Sequence, residues 1–130
     1  MQLAEVYGTV GQAEAGLRVL DQARAAIPHG EGRFFEADCS RLEGALLLTV
    51  SPAKQEEAET CFQHALDVAR HQHAKSLELR AAVSLSRLWQ QQGKRVEAYE
   101  LLAPVYRWFT EGFDTADLKQ AKALLEELEE

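Results

Sequence analysis

Cys61, His64, His71 and His73 are the residues in this sequence best equipped for metal chemistry. Zinc asks for four ligands that converge tetrahedrally, usually from two elements. On one helix Cys61 and His64 share a face, while His71 lies two turns further on and His73 follows near the end. That spacing reads as polar histidines on a helix flank, and neither a metal nor another cofactor is expected. Glu56, Glu57 and Glu59 stand in the first turns of a helical stretch, where carboxylates complement the helix dipole. Glu126, Glu127, Glu129 and Glu130 form a solvated terminal run. No Ser-His-Asp or Cys-His arrangement follows from spacing. Gly8-Thr9-Val10-Gly11 and Gly30-Glu31-Gly32 lack the Lys-Ser/Thr of a phosphate-binding loop, and neither follows a strand. The expectation is a protein that is not an enzyme.

The bulk properties narrow the partners. A net charge of −7 repels phosphate backbones and anionic lipid, so nucleic acid and membrane are not expected partners. The longest apolar stretch, Ala45 to Leu48 with Val50 close behind, is far too short to cross a bilayer. No basic segment followed by an apolar run opens the chain, so no signal peptide is expected. Cys39 and Cys61 are too few for a disulfide framework and suit small buried hydrophobes in a reducing compartment. The cytoplasm is the expected location.

At 130 residues the chain is the size of one domain, and 46% hydrophobic residues with 27% charged ones suit a globular fold. Asn is absent, and Ala, Leu, Glu, Gln and Arg outweigh Val, Ile and Thr, which favours helix. Glycine and proline punctuate seven predicted helices. The first runs over 1–10 and stops at Gly11. The second runs over 12–27, with Leu17, Leu20, Ala23 and Ile27 as its stripe, and stops at Pro28. A turn at residues 29–32 leads to a third over about 33–49. Ser51 is the expected N-cap and Pro52 the first residue of the fourth, patterned to Arg70. The fifth spans about 76–92 and stops at Gly93, and the sixth spans 95–109. Asp114 or Thr115 caps a last helix that ends at Leu128.

These helices repeat. Gly11-Gln12-Ala13-Glu14-Ala15-Gly16 aligns with Gly93-Lys94-Arg95-Val96-Glu97-Ala98, and Lys54 to Thr60 fills the same slot. The small residues Gly16, Ala58 and Ala98 are each followed one turn later by Leu20, Phe62 and Leu102, then by Ala23, Ala65 and Val105. A small residue lets two helices approach, and the bulky one fills the groove beside it. A lone hairpin cannot bury its apolar face, so such hairpins stack. Phe62 and Trp89 read as core. Trp108 and Phe109 are expected to seat the last helix as a cap, with Leu118, Ala121, Leu125 and Leu128 as its buried stripe.

On these residues the chain resembles the tetratricopeptide repeat family. Tyr7, Gly11, Gly16, Leu20, Ala23 and Pro28 fall at that family's spacing; Gly44, Ala58, Phe62 and Ala65 follow, then Trp89, Gly93, Ala98 and Leu102. The period near forty exceeds the family's usual length. The resemblance implies an all-α, α-α superhelix of three hairpins, about 1–28, 33–72 and 75–109, plus a capping helix over 114–129. Leu88 to Arg95, Glu100 to Tyr106 and Trp108 to Leu118, with Trp108-Phe109-Thr110-Glu111-Gly112-Phe113 at its start, are also similar to the C-terminal repeats of bacterial class III nucleotide cyclase and P-loop ATPase signalling proteins. That similarity implies the last part of a longer protein, a scaffold or sensor tail for protein–protein interaction. The partner would be a protein or peptide, including other domains of the same polypeptide.

In the tetratricopeptide family the first helix of each hairpin lines a concave groove. The resemblance puts Arg41 on that side of one first helix and Arg80, Arg87 and Gln91 on that side of the next. Together they make a basic stripe in an acidic protein, suited to an acidic peptide or a carboxylate. The plainer alternative pairs these arginines with Glu43, Glu78 and neighbours as ordinary surface charge. The family's carboxylate clamp needs Asn, which this chain lacks. A different class of function, homo-oligomerisation with no groove ligand, would bury an exposed flank of the first hairpin between copies.

Overall fold

A computed structural model of the chain describes residues 3–26, 33–112 and 115–129. The fold is all-α, with no strand among the described residues. Its helices are α1 (Leu3–Ala26), α2 (Arg33–Val50), α3 (Gln55–His71), α4 (Lys75–Gln91), α5 (Arg95–Trp108) and α6 (Ala116–Glu129). Among the described residues no helix is long and apolar enough to cross a membrane. Pro28, the turn expected at residues 29–32, Phe113 and Asp114 lie outside the described residues, and of Tyr7 only the backbone is described.

Where the first hairpin, about 1–28, was expected, the described residues form one continuous helix, α1. Gly11 sits inside α1, exposed and without the positive φ of a turn glycine. α1 contains three glycines, Gly8, Gly11 and Gly16, each costing about 1 kcal/mol relative to alanine in a helix interior, and the helix runs through all of them. The eight residues ahead of Gly11 extend a helix already nucleated, while a separate helix that short would be marginal. Among the described residues six helices therefore stand where seven were expected. The start of α3 also differs. Ser51 to Lys54 forms a turn in which the Lys54 N–H donates to the Ser51 carbonyl at 3.0 Å and the Ala53 N–H to Ser51 Oγ at 3.3 Å. Pro52 thus serves the second place of a turn, where its fixed φ fits equally well, and the helix begins at Gln55.

Two neighbouring turns share one geometry. After α3, the Ala74 N–H donates to Ala69 O at 2.9 Å; after α4, the Lys94 N–H donates to Trp89 O at 2.8 Å. Both are six-to-one closures around a left-handed residue. That residue is Gly93 (φ 80°) in one and His73 (φ 56°) in the other.

Side-chain contacts give the helix directions. Between α3 and α4, Arg70 meets Glu78 near the turn, Glu59 meets Trp89 further out, and Gln55 meets Gln92 at the far end. Those helices are antiparallel. Between α4 and α6, Arg80 meets Asp117 and Gln90 meets Glu127, both 37 residues apart, so these helices run parallel. Each helix packs on the next in sequence, and α2 also packs on α4, as α4 does on α6. The helices α2, α4 and α6 thus form one layer.

The core runs from Phe62, Ala65 and Leu66 of α3 through Leu79, Leu85 and Leu88 of α4 and Leu102 and Val105 of α5 to Leu118, Ala121, Leu124, Leu125 and Leu128 of α6. Trp89 and Phe109 are half-buried against it. Close approach is set by small residues. A methyl on Gly44 would stand 2.7 Å from the Phe62 ring and 3.1 Å from Ala58 O. In α4 the buried Ser86 fills the corresponding place, its hydroxyl donating to Ala98 O at 3.1 Å. Trp108 departs from expectation: it is 56% exposed, with Lys75 Nζ 5.3 Å from its ring centroid. The leucine and alanine stripe seats α6 without it.

Gly44→Ala should destabilise the fold by about 1–3 kcal/mol through overpacking. Gly11→Ala, with nothing within 4 Å of the added methyl, should stabilise it by about 0.5–1 kcal/mol. Chemical denaturation of the two variants checks both signs. His73→Gly should raise the stability by about 1 kcal/mol, because a left-handed residue with a Cβ is strained, and a thermal melt reads it.

Candidate functional site: an arginine-lined groove

Arg80, Ser84 and Arg87 follow one another along a single face of α4, as the helical period requires. Arg41 of α2 reaches the same place from one side, and Asp117 and Gln120 of α6 from the other. With Leu79 and Val83 they line a pocket of about 300 Å³. The structure therefore brings Arg41, Arg80 and Arg87 together. Gln91 lies outside this pocket: it is exposed at the last position of α4, one turn past Arg87 and beyond the reach of α6 residues near Asp117.

Two of these arginines pair with carboxylates, as the plainer alternative has it, but with Asp38 and Asp117 and not with Glu43 or Glu78. Arg41 donates through Nε (3.0 Å) and Nη2 (2.9 Å) to Asp38 Oδ1, one turn back on α2. Arg80 donates from Nε to Asp117 Oδ2 at 2.9 Å, and its Nη1 stands 3.9 Å from Asp38 Oδ1. The hydrogen bond that Arg80 donates to Asp117 and the charges of Asp117 and Asp38 hold the Arg80 guanidinium above its ordinary pKa, against the opposing effect of burial. Arg87 is exposed and, among the described residues, pairs with no carboxylate. Three guanidiniums against two carboxylates leave one excess positive charge.

Glu43 and Glu78, the alternative partners, are engaged elsewhere. Glu43 Oε2 lies 3.1 Å from Cys61 Sγ. Glu78 is buried, 5% exposed, and accepts from Arg70 Nε at 3.1 Å through Oε2. Lys75 Nζ is 3.3 Å from its Oε1 without hydrogen-bond alignment, so that contact is coulombic. Sequence reasoning missed both carboxylates: Asp117 lines the groove, and Asp38 pairs with its arginines Arg41 and Arg80. Asp117 carries one local signal, its place in the first turn of a helix, where acidic residues are favoured.

The other polar concavities offer less. His64 Nε2 meets Glu36 Oε1 at 3.1 Å beside Cys61, but His71 ends α3 and His73 lies in the following turn. Among the described residues no three His, Cys, Asp or Glu side chains are placed to hold a metal ion. A larger cavity of about 670 Å³ lies at the α2–α3 turn, where Glu56, Glu57 and Glu59 stand among Lys54, Lys94 and Gln92. It is wide and open, and its charges come from helix starts and turns. The arginine groove is smaller, but its charges converge from three helices.

Comparison of the chain with protein-family models, curated proteins and solved structures gives no match.

Arg87→Gln should leave the stability within about 0.5 kcal/mol of the parent, since the exposed guanidinium supports no packing. Glu78→Ala should cost about 1–3 kcal/mol, because it removes the buried carboxylate that accepts from Arg70 and attracts Lys75. Paired urea titrations separate the charge available to a ligand from the charge that holds the fold.

Proposed function

We propose that the chain is a protein–protein interaction module of the tetratricopeptide kind that binds an acidic, partly apolar segment of a partner along the α2–α4–α6 layer. One observation carries this reading: in a chain of net charge −7, arginines from two helices surround one pocket, and one of them has no carboxylate partner among the described residues. A guanidinium free to form charge-assisted hydrogen bonds suits a carboxylate. Leu42, the residue after Arg41 on α2, is 38% exposed and offers apolar surface to such a segment, whereas Leu79 and Val83 of the lining are buried in the core. The parallel run of α4 and α6, the contact of α2 with α4 and the near-forty-residue spacing of the helix starts at Arg33, Lys75 and Ala116 support the stacked-hairpin family and a superhelix. The proposed setting is the bacterial cytoplasm, as the C-terminal scaffold or sensor tail of a signalling ATPase or cyclase; the similarity over residues 88–118 supports it.

The rival reading, self-association, draws on the apolar surface at α1 and α5, where Val19 is 60% and Val96 63% exposed. Light scattering separates the two: a dimer that persists on dilution favours the rival.

A fluorescent peptide alternating leucine and glutamate should bind with micromolar affinity, and its leucine–glutamine counterpart should not. Arg87→Gln should weaken binding about tenfold, the loss of one hydrogen bond to a charged group. Fluorescence anisotropy measures both. Equal affinity for the two peptides, or no effect of Arg87→Gln, would sink the reading.

A further inference from the structure

The groove contains its own carboxylates, and this bears on which anion it admits. Asp38 holds Arg41 through two hydrogen bonds and lies 3.9 Å from Arg80. Asp117 enters from the first turn of α6 and takes the Nε of Arg80 at 2.9 Å. A ligand anion at Arg87 therefore approaches a site with one carboxylate, Asp117, in its lining and a second, Asp38, on its other two arginines. A single carboxylate meets the one excess positive charge. A phosphoryl dianion brings a second negative charge that no guanidinium answers, and it is repelled by Asp117.

We propose that Asp117 is a specificity-determining residue that restricts the arginine groove to lone carboxylates and rejects phosphorylated segments. The inference rests on the peptide-binding reading given above. Asp117 can fill this role because it is not needed to hold its helix. Its side chain is 34% exposed, whereas α6 is seated by Leu118, Ala121, Leu124, Leu125 and Leu128. An exposed ion pair is also weak enough for a ligand to compete with it. Asp117 thus acts in two ways. It competes with any ligand for Arg80, and it penalises a ligand with two charges more than a ligand with one.

The test uses the full chain and two labelled peptides, one alternating leucine with glutamate and one alternating leucine with phosphoserine. The parent should prefer the glutamate peptide by about tenfold or more, as like-charge juxtaposition implies. Asp117→Asn should bind the glutamate peptide about three- to tenfold more tightly, since the competing ion pair is gone. It should also bind the phosphoserine peptide at least as well as the glutamate one. Asp117→Glu, which keeps the charge, should retain the parent's preference. A melting temperature within about two degrees of the parent's shows that each variant is folded. If parent and Asp117→Asn bind the glutamate peptide equally and discriminate equally, Asp117 sets nothing and only this inference falls. A parent that prefers phosphoserine overturns it as well. If no variant binds either peptide, the peptide-binding reading falls and takes this inference with it.

Discussion

At Gly44 there is room for a hydrogen and little more. The Phe62 ring and the Ala58 carbonyl close over that position, so α2 and α3 approach backbone to backbone. Forty-odd residues later Ser86 and Ala98 make the same approach between α4 and α5, with the serine hydroxyl turned into a hydrogen bond to the helix carbonyl. A hydroxyl buried without a partner would be costly, so the contact tolerates serine only because the carbonyl is within reach. The close pairing of each first helix with its second leaves the opposite side of the first helices to meet one another. The layer of α2, α4 and α6 follows from it, and so does the groove.

The groove is an electrostatic product of that layer. Asp38, Arg80 and Asp117 belong to three helices, and they meet because α4 and α6 run parallel in register and α2 lies against α4. Little of this charge is buried. Its contribution to stability is correspondingly small, and its contribution to recognition is larger, because exposed charges steer partners and set specificity more than they hold folds together. Glu78 shows the contrast: it is buried beneath Arg70 and Lys75 and belongs to the packing.

The pattern of small and bulky residues made the helical class and the packing register legible in the sequence. Ala58, Phe62 and Ala65, like Ala98, Leu102 and Val105, are buried because they recur at the offsets that one helix presents to another. The α6 stripe was legible for the same reason. Positions governed by one residue type were less so. Gly11 and Gly93 stand in similar surroundings, yet only Gly93 turns the chain, and a glycine's φ depends on what the flanking segments can pack against. His73 turns the chain without being glycine. Asp38 and Asp117 escaped notice because their pairing depends on helix register across the layer, which no local pattern encodes. Trp108 carries a core-like side chain, but it lies at the end of α5, exposed, with the Lys75 ammonium near its ring.

The two tryptophans occupy opposite environments. The Trp89 indole is half-buried between α3 and α4 and donates from Nε1 to Glu59 Oε1 at 2.5 Å. Trp108 lies open to solvent, edge-on to Phe109 with its ring centroid 5.1 Å away. The intrinsic emission of this protein is therefore a sum of two separable voices: a blue-shifted one that reports whether the α3–α4 pairing is intact, and a red-shifted one that reports the surface at the end of α5.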